Sequence, residues 1–275
     1  MRELDQQTIL ITGASDGLGR ALTAELAAGG ATVLIHARDE GRGKAVVDEI
    51  RAQTANDKLQ LLLADFASLE QVGVLAQRVA EDHDRLDALV NNAGIGTTLP
   101  GEGRRMESQD GYELRFAVNY LAGFMLTRRL VPLLQRSAPA RVVNVSSAGQ
   151  APIDFDDVML ERSYDGVQAY CQSKLAQVMF TFDLAQELSG SGVTATCLHP
   201  ATYMPTKMVH AAGVNPISSL EEGVRATLHL VADPKLEGVT GRYFNGQRPA
   251  SPQAQADDAA ARRRLRELSD RLCGF

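Results

Sequence analysis

The residues that decide the fold are Thr12-Gly13-Ala14-Ser15-Asp16-Gly17-Leu18-Gly19. They end the apolar run Thr8–Thr12, and the residues after them have a helical pattern. Glycines at this spacing let the backbone turn tightly and approach a pyrophosphate, whose charge the first N–H groups of a helix stabilise. A glycine cluster alone could be just a turn, but a preceding strand and a following helix are what a dinucleotide-binding turn requires. We therefore predict that a nucleotide binds at Gly13, Ser15, Asp16, Gly17, Leu18 and Gly19.

Apolar runs alternate with longer helical patterns along the chain. The runs that predict strands are Thr8–Thr12, Thr32–His36, Leu59–Ala64, Ala88–Asn91, Arg141–Ser146, Val193–His199 and Arg242–Phe244. Helical patterns cover residues 17–29, 39–54, 68–83, 111–136, 168–189, 219–232 and 255–272. Most runs are continuously apolar, which is typical of parallel strands with helices on both faces. The predicted fold class is α/β, a doubly wound (Rossmann) parallel sheet of about seven strands. We predict a single domain, 1–275, with 254–273 as a C-terminal helical tail.

The composition is ordinary for a soluble globular protein, with 44% hydrophobic and 23% charged residues. A formal net charge of −6 argues against nucleic acid or an anionic membrane as the main partner. The three cysteines have no metal-ligand spacing, so we expect neither a metal site nor a disulfide framework. The first residues are polar, and no run reaches the ~18 apolar residues that a membrane span needs. These features predict a cytoplasmic protein without a membrane span.

The end of the second predicted strand, Ile35-His36-Ala37-Arg38-Asp39, indicates which nucleotide is preferred. In this fold an acidic side chain there accepts a hydrogen bond from the 2′-hydroxyl of the adenosine ribose, whereas a basic one pairs with a 2′-phosphate. The position expected to hold the acid is Ala37, and Arg38 follows it. We therefore predict NADP(H), bound by Arg38, in preference to NAD(H). The alternative is that Arg38 is a surface residue and that Asp39 reaches the ribose.

A tyrosine and a lysine four residues apart, Tyr170 and Lys174, share one face of a predicted helix. A free tyrosine has a pKa near 10, so acid–base work near neutral pH needs a fall of about 3, or about 4 kcal/mol. An ammonium in a dry site and a positively charged nicotinamide together supply an effect of that order. Ser147, at the end of a predicted strand, would donate a hydrogen bond to a substrate carbonyl as negative charge develops on it. Such a pair alone is weak evidence, and we interpret it as catalytic because the glycine turn and the serine strand precede it.

These motifs, in this order, resemble the short-chain dehydrogenase/reductase family over essentially the whole chain. The resemblance implies that Asp65 contacts the adenine and that Asn119 supports a proton relay. It also implies that Tyr170 is the general acid/base. Ser147 is the active serine by this resemblance, with Ser146 as the alternative. The other contacts to the cofactor that it implies are Phe66, Asn92, Ala93, Gly94, Tyr170, Lys174, Pro200 and Thr202.

The finer resemblance is to the retinol-dehydrogenase-like branch of that family. It rests on His36–Asp39, on Ala169–Ala176, on Gly241–Phe244 and on the long connection 150–167 between the serine strand and the tyrosine helix. That connection is either functional or a solvated surface excursion. The branch often handles apolar aldehydes and ketones, so the resemblance implies an apolar substrate, although a fold does not determine a substrate.

One segment departs from the family's pattern. After the sixth strand the family usually has Pro-Gly and then, at a fixed offset, a threonine that contacts the nicotinamide end. This chain has Pro200-Ala201, and Thr206 lies one residue later than the pattern expects. The residues that follow, Lys207–Ile217, are apolar in part and form either a lid over the substrate or a segment that packs on the core.

Together these features predict an NADP(H)-dependent oxidoreductase that transfers a hydride between nicotinamide and a small carbonyl or alcohol substrate. Two alternatives are a catalytically silent NADP(H)-binding sensor or regulator, and an epimerase or dehydratase that uses bound cofactor. The helices at 111–136 and 168–189 are candidates for a homo-oligomer interface. The second is apolar on more than one face, and such a helix needs more than one packing surface.

Overall fold

The computed structural model describes residues 2–98 and 104–275, and these residues form one sheet of eight strands. The strands are β1 Thr8–Ile11, β2 Thr32–Ala37, β3 Leu59–Leu63, β4 Ala88–Asn91, β5 Ala140–Val145, β6 Val193–His199, β7 Arg242–Asn245 and β8 Arg248–Pro249. Their order is β3-β2-β1-β4-β5-β6-β7-β8, and every neighbouring pair is parallel except β7 and β8. The doubly wound fold is confirmed. The strand beyond the predicted seven is β8, which has two exposed residues and is too short to show an apolar run.

The α-helices in the described ranges are α1 Gly17–Ala28, α2 Glu40–Thr54, α3 Leu69–Asp82, α4 Ala122–Arg136, α5 Gly166–Glu187, α6 Lys207–Ala211, α7 Leu220–Ala232 and α8 Ala259–Cys273. The predicted helix at 111–136 is corrected: a π-helical segment, Phe116–Leu121, precedes α4. Periodicity over six residues does not distinguish a π-helix from an α-helix. The C-terminal tail likewise contains a short 3₁₀ turn, Ala254–Asp257, before α8. None of the helices described is long and apolar enough to cross a membrane.

Two apolar clusters cover the two faces of the sheet. Leu10 and Leu89 belong to the cluster beneath α3, α4, α5 and α8, whereas Ile9 and Ile11 belong to the cluster beneath α1, α2 and α7. Successive residues of a strand point to opposite faces, so a strand with helices on both sides is apolar throughout. The chain runs outward in opposite directions from β1 and from β4. A crevice for ligands is therefore expected beyond the carboxyl ends of these two strands.

Helix α8 packs against α5 and against the π-helical segment before α4. The Tyr120 hydroxyl, just before α4, lies 2.7 Å from Ser269 Oγ in a buried hydrogen bond. Arg266 pairs with Asp183 of α5 at 3.2 Å. This packing gives α5 a second buried face within one subunit, which accounts for its apolar character. The homo-oligomer stays a prediction, and it would have to use surface that α8 leaves open.

Candidate active site

The glycine turn before α1 packs against the loop that follows β4. Gly13 has a φ of 64°, and a Cβ there would lie 2.7 Å from Ala93 Cα, so the turn requires glycine. The Thr12 hydroxyl accepts hydrogen bonds from the backbone N–H groups of Asn92 and Ala93, both at 2.9 Å. The Asn92 side chain donates to the carbonyl oxygens of Thr12 and Gly13 at 2.8 and 3.2 Å. The two segments are therefore joined where the strand order reverses.

The other residues of the turn differ in what they can offer a nucleotide. Leu18 is buried and its side chain packs in the core, so only its backbone is available. Asp16 caps α1, accepting from the Gly17 N–H at 2.8 Å, and its carboxylate lies 2.7 Å from Lys207 Nζ. Burial would raise the pKa of Asp16, but Lys207 and the Gly17 N–H lower it overall. Ser15 is half-buried beside it.

At the adenosine end, β2 ends at Ala37 and Arg38 follows on the surface. The Arg38 guanidinium forms no hydrogen bond or ion pair with any residue in 2–98 or 104–275. Asp39, in contrast, is the N-cap of α2. Its carboxylate accepts from the Arg42 N–H at 2.8 Å and lies 3.7 Å from Arg42 Nε. Asp39 is therefore occupied in capping α2. Arg38 is the neighbouring side chain that is available to a ribose phosphate.

His36 holds the glycine turn in place, a role that the sequence analysis missed. Its Nδ1 accepts from the Gly13 N–H at 3.1 Å, and its Nε2 lies 3.0 Å from the Ala64 carbonyl oxygen. Burial lowers the pKa of His36 to about 4, so the ring is neutral near pH 7 and can accept at Nδ1. Phe66 stacks on this ring with centroids 4.2 Å apart, which leaves its backbone for a cofactor. Asp65 is half-buried next to it.

Strand β5 and helix α5 bring a serine and a tyrosine together. Ser146 is buried, and its hydroxyl donates to the carbonyl oxygen of Lys174 at 2.8 Å. Ser147 is half-buried, accepts from the Gly149 N–H at 3.0 Å, and interacts with Tyr170 so as to lower the pKa of its phenol. Burial raises the pKa of Tyr170 overall, and the interaction with Ser147 opposes that rise only in part. The serine that faces the tyrosine is thus Ser147.

Lys174 is buried beside Tyr170, with Nζ 5.7 Å from the centre of the ring. Its Nζ donates to the Val145 carbonyl oxygen and to Gln177 Oε1, both at 3.0 Å. Burial lowers the pKa of Lys174 from 10.5 to about 7. The motif predicts a lowered pKa at Tyr170, yet in the chain itself that pKa is raised. The reason is that burial disfavours the charged form of both groups.

Asn119 lies in the π-helical segment before α4, and its side chain is tied to the loop after β4. It accepts from the Ile95 N–H at 2.7 Å and donates to the Ile95 carbonyl oxygen at 3.1 Å. It also donates to Ser173 Oγ at 3.0 Å. A Cβ on Gly94 would lie 3.2 Å from Asn119 Oδ1 and 3.6 Å from Lys174 Nζ. Glycine therefore leaves open the space between these two groups.

The loop after β6 shows how the extra residue before Thr206 is accommodated. Pro200 is buried, and Thr202 Oγ1 lies 2.9 Å from His199 Nε2. Tyr203 has a φ of 49°, in the left-handed region that a bulky residue rarely adopts. Despite the longer offset, Thr206 lies beside the glycine turn, 3.2 Å from where a Cβ on Gly17 would be.

Helix α6 lies across the crevice, between the glycine turn and the loop after β4. A Cβ on Gly17 would lie 3.2 Å from Thr206 Cγ2, and one on Gly96 would lie 2.6 Å from Met208 Cγ. Met208 and Ile217 are exposed by 37% and 72%. These side chains present apolar surface instead of packing on the core, which favours the lid interpretation of this segment.

The long connection 150–167 is held in place on two sides. The Arg115 guanidinium bonds to the Tyr164 hydroxyl and donates to two carbonyl oxygens in the loop after β4. The Gln255 side chain pairs with the Ile153 backbone, at 2.7 Å to its N–H and 3.1 Å to its carbonyl oxygen. The connection is therefore fixed by side-chain hydrogen bonds near both of its ends and is not a loosely held surface loop.

Comparisons with known proteins identify the family. The family model described as short chain dehydrogenase matches residues 7–215. The chain is 35% identical to retinol dehydrogenase 13 of Mus musculus over 286 residues, which covers 98% of this chain and 84% of that protein. It is also 35% identical to retinol dehydrogenase 14 of Homo sapiens over 296 residues, covering 98% and 87%. The chain belongs to the short-chain dehydrogenase family.

Solved structures agree with this assignment. An uncharacterized protein from Mycobacterium paratuberculosis superposes with a TM-score of 0.78 at 30% identity, covering 98% of this chain and 94% of that one. A Shigella flexneri protein described as a short chain dehydrogenase, in complex with NADP, superposes with a TM-score of 0.72 at 28% identity, covering 90% and 100%. The family and its retinol-dehydrogenase-like branch, inferred from sequence motifs, are both confirmed.

Proposed function

We propose that this short-chain dehydrogenase is an NADP(H)-dependent oxidoreductase that transfers a hydride between nicotinamide and a carbonyl or alcohol group. The observation that carries the proposal is the meeting of Ser147, Tyr170 and Lys174 beyond the carboxyl end of β5. Two neighbouring hydroxyls, with an amine beside them, form a site where a substrate oxygen can be held and can exchange a proton.

Two parts of the crevice support a nicotinamide dinucleotide with a 2′-phosphate. Gly13 permits close approach of the backbone, and the first N–H groups of α1 face the same turn, where they would hold the pyrophosphate. At the adenosine end, Arg38 has no partner among the described residues and Ala37 supplies no acid, which supports a 2′-phosphate. The Shigella flexneri relative in complex with NADP supports the same choice. The bound nicotinamide would supply or accept the hydride.

The chain's own residues would handle the proton. In the reducing direction Tyr170 donates its proton to the substrate oxygen, while Ser147 donates a hydrogen bond to the same atom. Burial raises the pKa of Tyr170, so the phenol holds its proton near neutral pH and can act as the acid. A charged Lys174 beside it stabilises the phenolate that remains. Asn119 fixes the loop after β4 through its bonds to Ile95. We also propose that Asn119 supports a proton relay to Tyr170.

The substrate that we propose is apolar. Met208 and Ile217 present exposed apolar side chains on the segment that lies over the crevice. The relatives named retinol dehydrogenase are consistent with an apolar aldehyde, ketone or alcohol. Long-chain aldehydes and ketones are therefore the first compounds to test with NADPH.

The proposal is tested with Tyr170→Phe. The variant is expected to lose about 100-fold or more in kcat/KM on any carbonyl compound that the wild type reduces, because proton transfer contributes ~10²–10⁴-fold. Its affinity for NADPH, followed by the fluorescence of the reduced nicotinamide, should change little. The control is Tyr112→Phe, which should keep wild-type activity. In the wild type the Tyr112 hydroxyl donates to the Leu272 carbonyl oxygen of the C-terminal helix, away from the proposed site.

Three outcomes would count against the proposed function. Full turnover by Tyr170→Phe contradicts the proposed proton transfer. Binding of NADPH by the wild type, without turnover of any aldehyde or ketone in a broad panel, would favour the sensor or regulator. Nucleotide that stays bound through purification and does not exchange would favour the epimerase or dehydratase.

A further inference from the structure

Gln177 lies one helical turn after Lys174 on α5, with its side chain buried to 4% exposure. Its amide oxygen accepts a hydrogen bond from Lys174 Nζ at 3.0 Å, and the Val145 carbonyl oxygen accepts the second at 3.0 Å. Both acceptors belong to buried residues. Neither acceptor carries a net charge, so neither cancels the charge of an ammonium.

The number of N–H groups on Lys174 decides what it can offer to the crevice. An ammonium has three N–H groups, so two can serve Val145 and Gln177 and the third remains for the crevice. A neutral amine has two, and both acceptors together consume them. The protonation of Lys174 therefore determines whether it can donate a hydrogen bond toward the crevice.

Burial works against the charged form of Lys174 and lowers its pKa to about 7. The elements that pack around Nζ present Val145 from β5, Gly94 from the loop after β4 and Asn119 from the π-helical segment, none of which titrates. Among the described residues, Tyr170 on the same helix is the titratable group that faces it. With no carboxylate among these neighbours, the two oxygen acceptors are the groups that stabilise the ammonium.

We propose that Gln177 is a positioning residue for the reaction: its amide oxygen keeps the Lys174 ammonium in place so that the third N–H is aimed at the crevice. This inference rests on the proposed oxidoreductase function. Gln177 suits the role because it is long enough to reach Nζ from the next turn. Its neutral amide also leaves the positive charge free to act on Tyr170.

The test compares Gln177→Met, Gln177→Glu and a control, Gln172→Met. Gln172 is a fully buried glutamine on the same helix, and its amide donates to Val158 in the 150–167 connection at 2.7 Å. The first measurement is the pH profile of kcat/KM for reduction. Loss of the acceptor in Gln177→Met should move the fall in rate at high pH to lower pH by about one unit, the equivalent of one hydrogen bond to a charged group. Gln177→Glu should move it to higher pH, and Gln172→Met should leave it in place.

A second measurement needs neither nucleotide nor substrate. The free energy of unfolding rises with pH above the pKa of a buried lysine, so the onset of that rise reports on Lys174 directly. It should move down in Gln177→Met and up in Gln177→Glu. If Gln177→Met does not fold, the nearly isosteric Gln177→Glu still tests the inference.

Unchanged pH profiles and an unchanged onset in both Gln177 variants would overturn the inference, as would equal shifts in Gln172→Met. A merely structural role predicts lower stability without a shift of either pH dependence. If the wild type shows no turnover at all, the proposed function fails, whereas the onset of the stability rise still reports whether Gln177 holds the charge on Lys174.

Discussion

Replacing Lys174 with methionine is expected to flatten the pH dependence of stability above neutral pH. Burial sets the pKa of Lys174 at about 7, against 10.5 for an ordinary lysine. Between these values the folded protein binds fewer protons than the unfolded chain, so the free energy of unfolding rises with pH. The contribution is complete above the unfolded pKa and is lost as pH falls through the folded pKa. It amounts to roughly 5 kcal/mol in total, of which about 2 kcal/mol falls between about pH 7 and pH 9.

The assay is urea unfolding of the protein without nucleotide, followed by far-UV circular dichroism at several pH values in that interval. Lys174→Met leaves two acceptors without their lysine partner at every pH, which lowers stability throughout. The quantity compared is therefore the slope of the free energy of unfolding against pH, not the stability at one pH. The control is Lys44→Met, an exposed lysine that pairs with Glu40 at 2.7 Å and whose pKa this pairing raises. Lys44 titrates above the interval, so this variant should keep the wild-type slope.

Burial raises the pKa of Cys197 and of Cys273 to about 12. Both thiols therefore lower the free energy of unfolding as pH rises. Wild type and both variants share these thiols, so the difference between slopes isolates the lysine. Equal slopes in wild type and Lys174→Met would refute the reasoning. They would mean that Lys174 keeps an ordinary pKa in the folded protein.

Two further predictions concern the adenosine end and the loop after β6. Arg38→Ala should weaken NADPH binding about 10- to 100-fold, the equivalent of one charge-assisted hydrogen bond, and should leave NADH binding nearly unchanged in a fluorescence titration. Its control is Arg51→Ala, on the last turn of α2, which should bind both nucleotides as the wild type does. If Arg38→Ala lost affinity equally for NADPH and NADH, the proposed role of Arg38 would be contradicted. At position 203, whose φ is 49°, Tyr203→Gly should be about 1 kcal/mol more stable than Tyr203→Ala in urea unfolding. A more stable alanine variant would show that this backbone is not left-handed.

Several features of the fold and site could be predicted from the sequence, because they depend on residues that are close together along the chain. Continuous apolar runs predicted seven strands, and the spacing of Gly13, Gly17 and Gly19 marked the crevice. The strand β8 has two residues, and the π-helical segment has six, so neither leaves a periodic signal. The role of His36 was missed because its partners, Gly13 and Ala64, lie far from it in the sequence. A lone histidine at a strand end was the available signal.

The sequence by itself determined the fold class, the family and the residue types of the site, because periodicity and motif spacing are local properties. The tertiary structure decided which groups are buried together, and burial controls charge. It selected Ser147 over Ser146 as the hydroxyl that faces Tyr170. It also made Asp39 the N-cap of α2, next to an Arg38 that pairs with none of the residues the structure describes. It also placed Lys174 among uncharged acceptors, which lowers its pKa while that of Tyr170 rises. Desolvation acts through surroundings that only the folded chain assembles, and a one-dimensional pattern does not contain them.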